Sequence, residues 1–299
     1  MALSVKSIQS LESEVLRLDI APWLGGKIIS FYHKGINFEL AAQPQNNLLS
    51  HPPPTNDFGP YAFGMDDAFP NVDEEWVCGQ FYPSHGEIWS ANMEVVTSPA
   101  KDRLQLRWTS SAFHYEYEKN LSLCHDTITL SWVITNRGSM PLPALWTWHG
   151  LLRYETDMRF SFPPESRAIV NTLSHSRLGP EGTRHSLVDK QELYTVPPPG
   201  SRDMRKFFLD GPVQEGTCEV FYPSQEMIVS LNWDAAKLPY LGVWITAGGL
   251  DGAYNCALEP SDGFYDSVTK AAEHQALPVL LPGQQKSFSL QIRLRTSKV

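Results

Sequence analysis

Thr127-Ile-Thr-Leu-Ser-Trp-Val-Ile-Thr135 alternates polar and apolar side chains, so Ile128, Leu130, Trp132 and Ile134 fall on one face. A strand has a side-chain period of two, and this pattern is that of an antiparallel strand with one face buried and one wet. Working outward, Ser287-Phe-Ser-Leu-Gln-Ile-Arg-Leu-Arg295 repeats it, with Phe288, Leu290, Ile292 and Leu294 inward. Arg103-Leu-Gln-Leu-Arg-Trp108 follows suit, as do Leu16, Leu18 and Ile20. Asn136-Arg-Gly138, Gly248-Gly249 and Pro282-Gly283 read as turns between such runs. No stretch carries a convincing helical period. The expected fold is all-β, a sandwich of two large antiparallel sheets formed by one domain over residues 1–299.

Two stretches break the rhythm. Residues 41–60, with Pro52-Pro-Pro54, read as a long loop. Residues 163–200, with Pro163-Pro164, Gly179-Pro180 and Pro197-Pro-Pro199, read as an irregular excursion. Strands of the same style continue on both sides of the second, which argues against a linker between domains. Long loops on a rigid sheet are where binding residues tend to sit.

Composition narrows the function classes. The 299 residues are 42% hydrophobic and 19% charged, a balance that supports a sizeable globular core. Net charge is −9 and no cluster of five or six Lys/Arg occurs, so nucleic acid is not an expected partner. The four cysteines, Cys78, Cys124, Cys218 and Cys256, lack any C-x-x-C spacing and are expected to be free thiols. Met1-Ala-Leu-Ser-Val-Lys6 lacks a leader pattern and no window approaches eighteen apolar residues. The expectation is a cytoplasmic protein without a membrane partner.

Four segments carry groups able to do chemistry. Tyr82-Pro-Ser-His85-Gly-Glu87 and Trp146-Thr-Trp-His149-Gly150 each present an imidazole in a His-Gly step. Cys256-Ala-Leu-Glu259-Pro260 leads an apolar run into a carboxylate, and Pro260 is a residue that interrupts strand pairing. Burial there would lift the glutamate toward the range useful to a general base. Phe63-Gly-Met-Asp66-Asp67-Ala-Phe-Pro-Asn-Val-Asp73 sets three carboxylates among Phe and Pro, suited to sugar hydroxyls, a cation or a glycosidase acid pair. His85 and Glu87 lie two apart, yet no second histidine completes a metal set, and no metal is expected.

In order and spacing these pieces resemble the aldose 1-epimerase, or galactose mutarotase-like, superfamily. Pro22-Trp-Leu-Gly-Gly-Lys-Ile-Ile-Ser-Phe-Tyr-His-Lys-Gly35 is similar to its first strands. His85-Gly86 matches its first His-Gly step, and Val133-Ile-Thr-Asn136-Arg-Gly-Ser-Met-Pro141 followed by Trp148-His149-Gly150 resembles the stretch with its catalytic histidine. Leu258-Glu259-Pro260 resembles the segment with its catalytic glutamate, and the likeness runs over about residues 15 to 295. The resemblance implies a β-supersandwich, no cofactor, and interconversion of the anomers of a hexose or hexose derivative. It further implies that Glu259 takes the anomeric proton, His149 protonates the ring oxygen and His85 assists there. It places the family's substrate-binding aspartate at Asp203, in a segment whose Arg202, Arg205 and Lys206 would suit a phosphorylated hexose. The family's arginine ahead of the first histidine has no counterpart in Gly64–Pro70, where Asp66 or Asp67 would meet sugar hydroxyls instead.

The partner expected is therefore a monosaccharide or sugar derivative, bound by a monomer or homodimer. A non-catalytic sugar-binding or sensing protein, and a glycoside hydrolase or lyase using Glu259 with Asp66 or Asp67, are the alternatives.

Overall fold

The computed structural model describes residues 7–44, 58–96, 100–188 and 190–296. The alternating segments form the strands Thr127–Asn136 and Gln285–Thr296, which are direct neighbours. Their register pairs Ile128 with Ile292, Leu130 with Leu290 and Trp132 with Phe288, so two sequence-distant apolar faces merge. They sit centrally in an eight-stranded antiparallel sheet.

A twelve-stranded sheet packs against it. At its middle, Met65–Ala68, Thr147–Gly150, Tyr254–Ser261, Tyr240–Ala247 and Asp203–Leu209 lie side by side. Between the sheets the core is aromatic. Trp132 meets Trp146 at 4.6 Å and Trp148 at 6.0 Å between ring centroids, and all three indoles are buried. Each such side chain contributes roughly 1.5–3 kcal/mol through removal of apolar surface from water.

Residues 163–200 depart from the expected irregular excursion. Ala168–Asn171 and Arg184–Ser186 are strands at one edge of the large sheet, the first paired with Asp203–Leu209. Strands this short carry too few residues to display a period. Of the expected loop at 41–60, residues 45–57, with Pro52–Pro54, lie outside the described residues. One α-helix occurs among the described residues, Val268–Glu273, with Ser267 Oγ accepting from Lys270 N. No helix among them is long and apolar enough to cross a membrane.

Candidate active site

Strand register assembles the site. Asp66 pairs with His149, and Glu259 pairs with Gly242, which in turn pairs with Phe208. On either side of His149, Thr147 pairs with Ser261 and Leu152 with Cys256 in the same register, which sets His149 opposite Glu259. Asp66, His149, Glu259 and Gly242 therefore form a row across the large sheet, on the face turned away from the sandwich core.

His149 is held from behind. Its Nδ1 lies 3.0 Å from Asp66 Oδ1, and Asp66 Oδ2 lies 2.8 Å from Lys27 Nζ. Lys27 is fully buried and also donates to the carbonyls of Tyr61 at 2.6 Å and Phe63 at 3.0 Å. Burial works to raise the Asp66 carboxyl, but the Lys27 charge and the His149 hydrogen bond outweigh it and hold the group below its ordinary range. Burial in turn lowers Lys27, against the pull of Asp66. An ionised Asp66 accepts from Nδ1–H, so Nε2 is the nitrogen left for a ligand.

His85 faces His149 with 5.0 Å between ring centroids and stacks on Phe58 at 3.8 Å. Ser84 Oγ lies 3.0 Å from its Nδ1. Burial and the neighbouring His149 push its pKa well below that of a free imidazole, so His85 is neutral at physiological pH. The two His-Gly steps have separate steric causes. A Cβ on Gly86, at φ +69°, would fall 2.0 Å from the Phe69 carbonyl oxygen. One on Gly150 would fall 2.3 Å from Trp148 Nε1. Gly86 admits no side chain, and Gly150 admits one only if the Trp148 ring moves.

Glu259 is 0% exposed, and its Oε2 accepts from Lys206 Nζ at 2.6 Å. Its Oε1 has no hydrogen-bond partner among the described residues. Lys206 Nζ also lies 3.3 Å from Asp266 Oδ1. Burial disfavours the ammonium, but Asp266 and Glu259 more than compensate and hold it above the ordinary lysine range. Lys206, His85, His149, Asp73, Asp266 and Trp244 line one cavity of about 210 Å³. Asp73 stands at its exposed rim, where burial and the Asp266 charge raise its carboxyl to about 6. Asp266 is tied to the same rim, its carbonyl accepting from Val72 N and Asp73 N.

The structure thus brings His85 and His149 to one cavity, with Glu259 reached through Lys206. It places the other expected residues elsewhere. Asp66 stands behind His149 as its partner, not at the cavity wall. Asp67, one residue on, points into the core and is 1% exposed. It is bound there by Lys119 Nζ at 3.0 Å, Trp132 Nε1 at 2.9 Å and Tyr117 OH at 3.1 Å. Asp203 belongs to a separate cluster with His175 at 2.6 Å, Arg177 at 2.7 Å and Arg205 at 2.9 Å. Despite burial, these partners hold its carboxyl at about 2. Neither Asp67 nor Asp203 reaches the cavity. Sequence reasoning passed over Asp266, and took Asp73 only with Asp66 and Asp67 and Lys206 only with Arg202 and Arg205, because only strand pairing and a returning loop bring the three together. Among the described residues no three His, Cys, Asp or Glu side chains gather as a metal site requires.

Known structures share this architecture. The Slr1438 protein from Synechocystis sp. PCC 6803 superposes with a TM-score of 0.75 at 18% identity, over 98% of this chain and 97% of its own. A galactose mutarotase related enzyme from Lactobacillus acidophilus gives 0.67 at 15% identity over 98% of each chain. A galactose mutarotase-like protein from Lactobacillus casei ATCC 334 gives 0.70 at 16%, over 97% of this chain and 100% of its own. At such identities the likeness is one of fold, the β-sandwich of the galactose mutarotase-like superfamily. No curated protein matches the sequence. Residues 105–294 match the sequence family described as a domain of unknown function, DUF4432. The chain belongs to the DUF4432 family and carries the galactose mutarotase-like fold.

Proposed function

We propose that this protein interconverts the anomers of an aldose or aldose derivative by acid–base opening and closure of the sugar ring. The observation that carries the reading is the cross-strand row that sets His149 opposite Glu259, with His85 facing His149 over one cavity. Glu259, reached through Lys206, takes the proton of the anomeric hydroxyl while His149, as imidazolium, gives one to the ring oxygen. The bond from C1 to the ring oxygen breaks, leaving the open-chain aldehyde. Rotation about C1–C2 and the reverse proton transfers close the ring on the other face. His85, neutral and with Nδ1 beside Ser84, offers its Nε2–H to the ring oxygen. One acid–base pair of this kind accelerates a reaction by about 10²–10⁴-fold, and orientation of the bound sugar adds to it.

A second reading is a sugar-binding protein without turnover. It is favoured by one observation, the complete enclosure of Glu259 beside Lys206. The hydrolase alternative loses its second carboxylate, since Asp66 and Asp67 are each paired with a buried lysine. Exchange NMR of anomer interconversion over a panel of aldoses separates the two remaining readings. Acceleration by the wild-type protein, lost in Glu259→Gln and His149→Ala, supports the enzyme. Sugar binding with an unchanged exchange rate supports the binding protein and ends the catalytic reading.

A further inference from the structure

Lys206 stands between the buried Glu259 and the cavity, and its charge partners define what that cavity can hold. An ammonium carries three donors in all directions and no acceptor. Glu259 Oε2 takes one at 2.6 Å and Asp266 Oδ1 faces a second at 3.3 Å. Lys206 is 9% exposed and that exposure opens on the cavity, so one N–H is left for a ligand oxygen. The Glu259 carboxylate is confined on its other side: a Cβ on Gly242 would come within 3.0 Å of Oε2.

The charges around the cavity sum toward the acidic side. Lys27 is matched by Asp66, and Lys206 by Glu259. Asp266 and the rim residue Asp73 remain against the single charge that the acid role gives His149, with His85 neutral. Lys270, which acts on Asp73 through space, is bound to Glu181. Beyond Leu173, Arg177 and Arg205 are taken by Asp203, and Arg202 lines that neighbouring depression, not this cavity. Apart from the His149 imidazolium, no cation without its own carboxylate therefore faces the bound molecule among the described residues, and two carboxylates stand against that one charge.

We propose that Lys206 positions Glu259 and that its remaining N–H, with the Asp73 and Asp266 carboxylates, selects a neutral polyhydroxylated ligand over an anionic one. This rests on the sugar reading above and names the substrate class within it. Hydroxyls can serve both parts, accepting from the ammonium and donating to the carboxylates. A carboxylate or phosphate on the sugar would meet the Asp266 and Asp73 carboxylates, and like charges repel.

The test uses neutral aldoses beside their uronic acids and 6-phosphates, with the wild type, Lys206→Met and Lys206→Arg. Binding is read by tryptophan fluorescence, Trp244 lining the cavity, and exchange by NMR. Anionic analogues are expected to bind at least about tenfold more weakly than their neutral parents. Lys206→Met should lower kcat about 30-fold or more, with a several-fold loss of affinity, and Lys206→Arg should recover part of both. Should Lys206→Met fail to fold, the charge-neutral pair Lys206→Met with Glu259→Gln carries the binding comparison. Equal or tighter binding of anionic analogues, or unchanged affinity in the Lys206 variants, overturns the proposal. Binding of neutral sugars without exchange ends the catalytic reading alone and leaves the affinity comparison to decide on Lys206. Absence of any sugar binding overturns both.

Discussion

Asp66 and His149 are direct cross-strand partners, joined by a 3.0 Å bond between Oδ1 and Nδ1, and Lys27 closes the chain at 2.8 Å on the far side of Asp66. A carboxylate fixed by a buried cation can act on an imidazole in one way only, as acceptor for Nδ1–H. Replacement of Asp66 by Asn should therefore let His149 adopt the wrong tautomer and lower anomer exchange roughly 10²-fold. Lys27 would be left buried without its counter-charge, at a cost of about 3–5 kcal/mol in urea unfolding. Adding Lys27→Met should return much of that stability and none of the activity. Full activity in Asp66→Asn would remove Asp66 from the site.

Asp203 should behave as a stability residue. Its partners hold the carboxyl at about 2, against an ordinary value near 3.8. A depressed acid pKa means the stabilisation is complete above the unfolded value and is lost as pH falls toward the folded one. The interaction is worth about 2 kcal/mol at neutral pH. The gap in unfolding free energy between wild type and Asp203→Asn should be constant above about pH 4 and shrink toward pH 2. Sugar affinity should be unaltered, since Asp203 does not line the cavity. A loss of affinity with unchanged stability would place it at the ligand.

Asp73 gives the cavity a titrating rim. With its carboxyl raised to about 6 by burial and Asp266, it is protonated below that pH and a full acceptor above it. Affinity for a neutral sugar should rise as pH increases through about 6, and the step should vanish in Asp73→Asn. Titrations from pH 5 to 8 measure this directly. A step that persists in the variant assigns it to another group.

The two His-Gly steps should differ in their tolerance. At Gly86 an added Cβ meets a backbone carbonyl at 2.0 Å in a left-handed conformation, so neither neighbour nor strand can yield cheaply. Gly86→Ala is expected to cost about 3 kcal/mol or more. At Gly150 the obstacle is the Trp148 ring, at 2.3 Å, and overpacking there should cost about 1–3 kcal/mol. Chemical unfolding of the two variants side by side gives the order.

The strands of the eight-stranded sheet were legible because half-buried antiparallel strands advertise themselves, whereas those that carry the site are buried on both faces. Trp132 and Phe288 stand on alternating apolar faces, and the structure makes them cross-strand partners. His85, His149 and Glu259 were legible from the His-Gly steps and the apolar run into Glu259-Pro260, which the chain displays in order. The glycines beside the histidines now have their reason in the Phe69 carbonyl and the Trp148 ring.

Asp66 and Asp67 mark where that reading stopped. Adjacent residues of a strand face opposite ways, so one step separates a partner of His149 from an anchor for Lys119 in the core. Which of the two faces the site depends on which side the second sheet covers, and nothing local records that. Lys206 marks it again. In the chain it is one more charge after Arg202 and Arg205, 53 positions before Glu259. Local alternation is a property of each strand and was determined by the sequence alone. The company of Lys206, Glu259 and Asp266 is a property of pairing between strands and of a loop returning over them, and only the tertiary structure decided it.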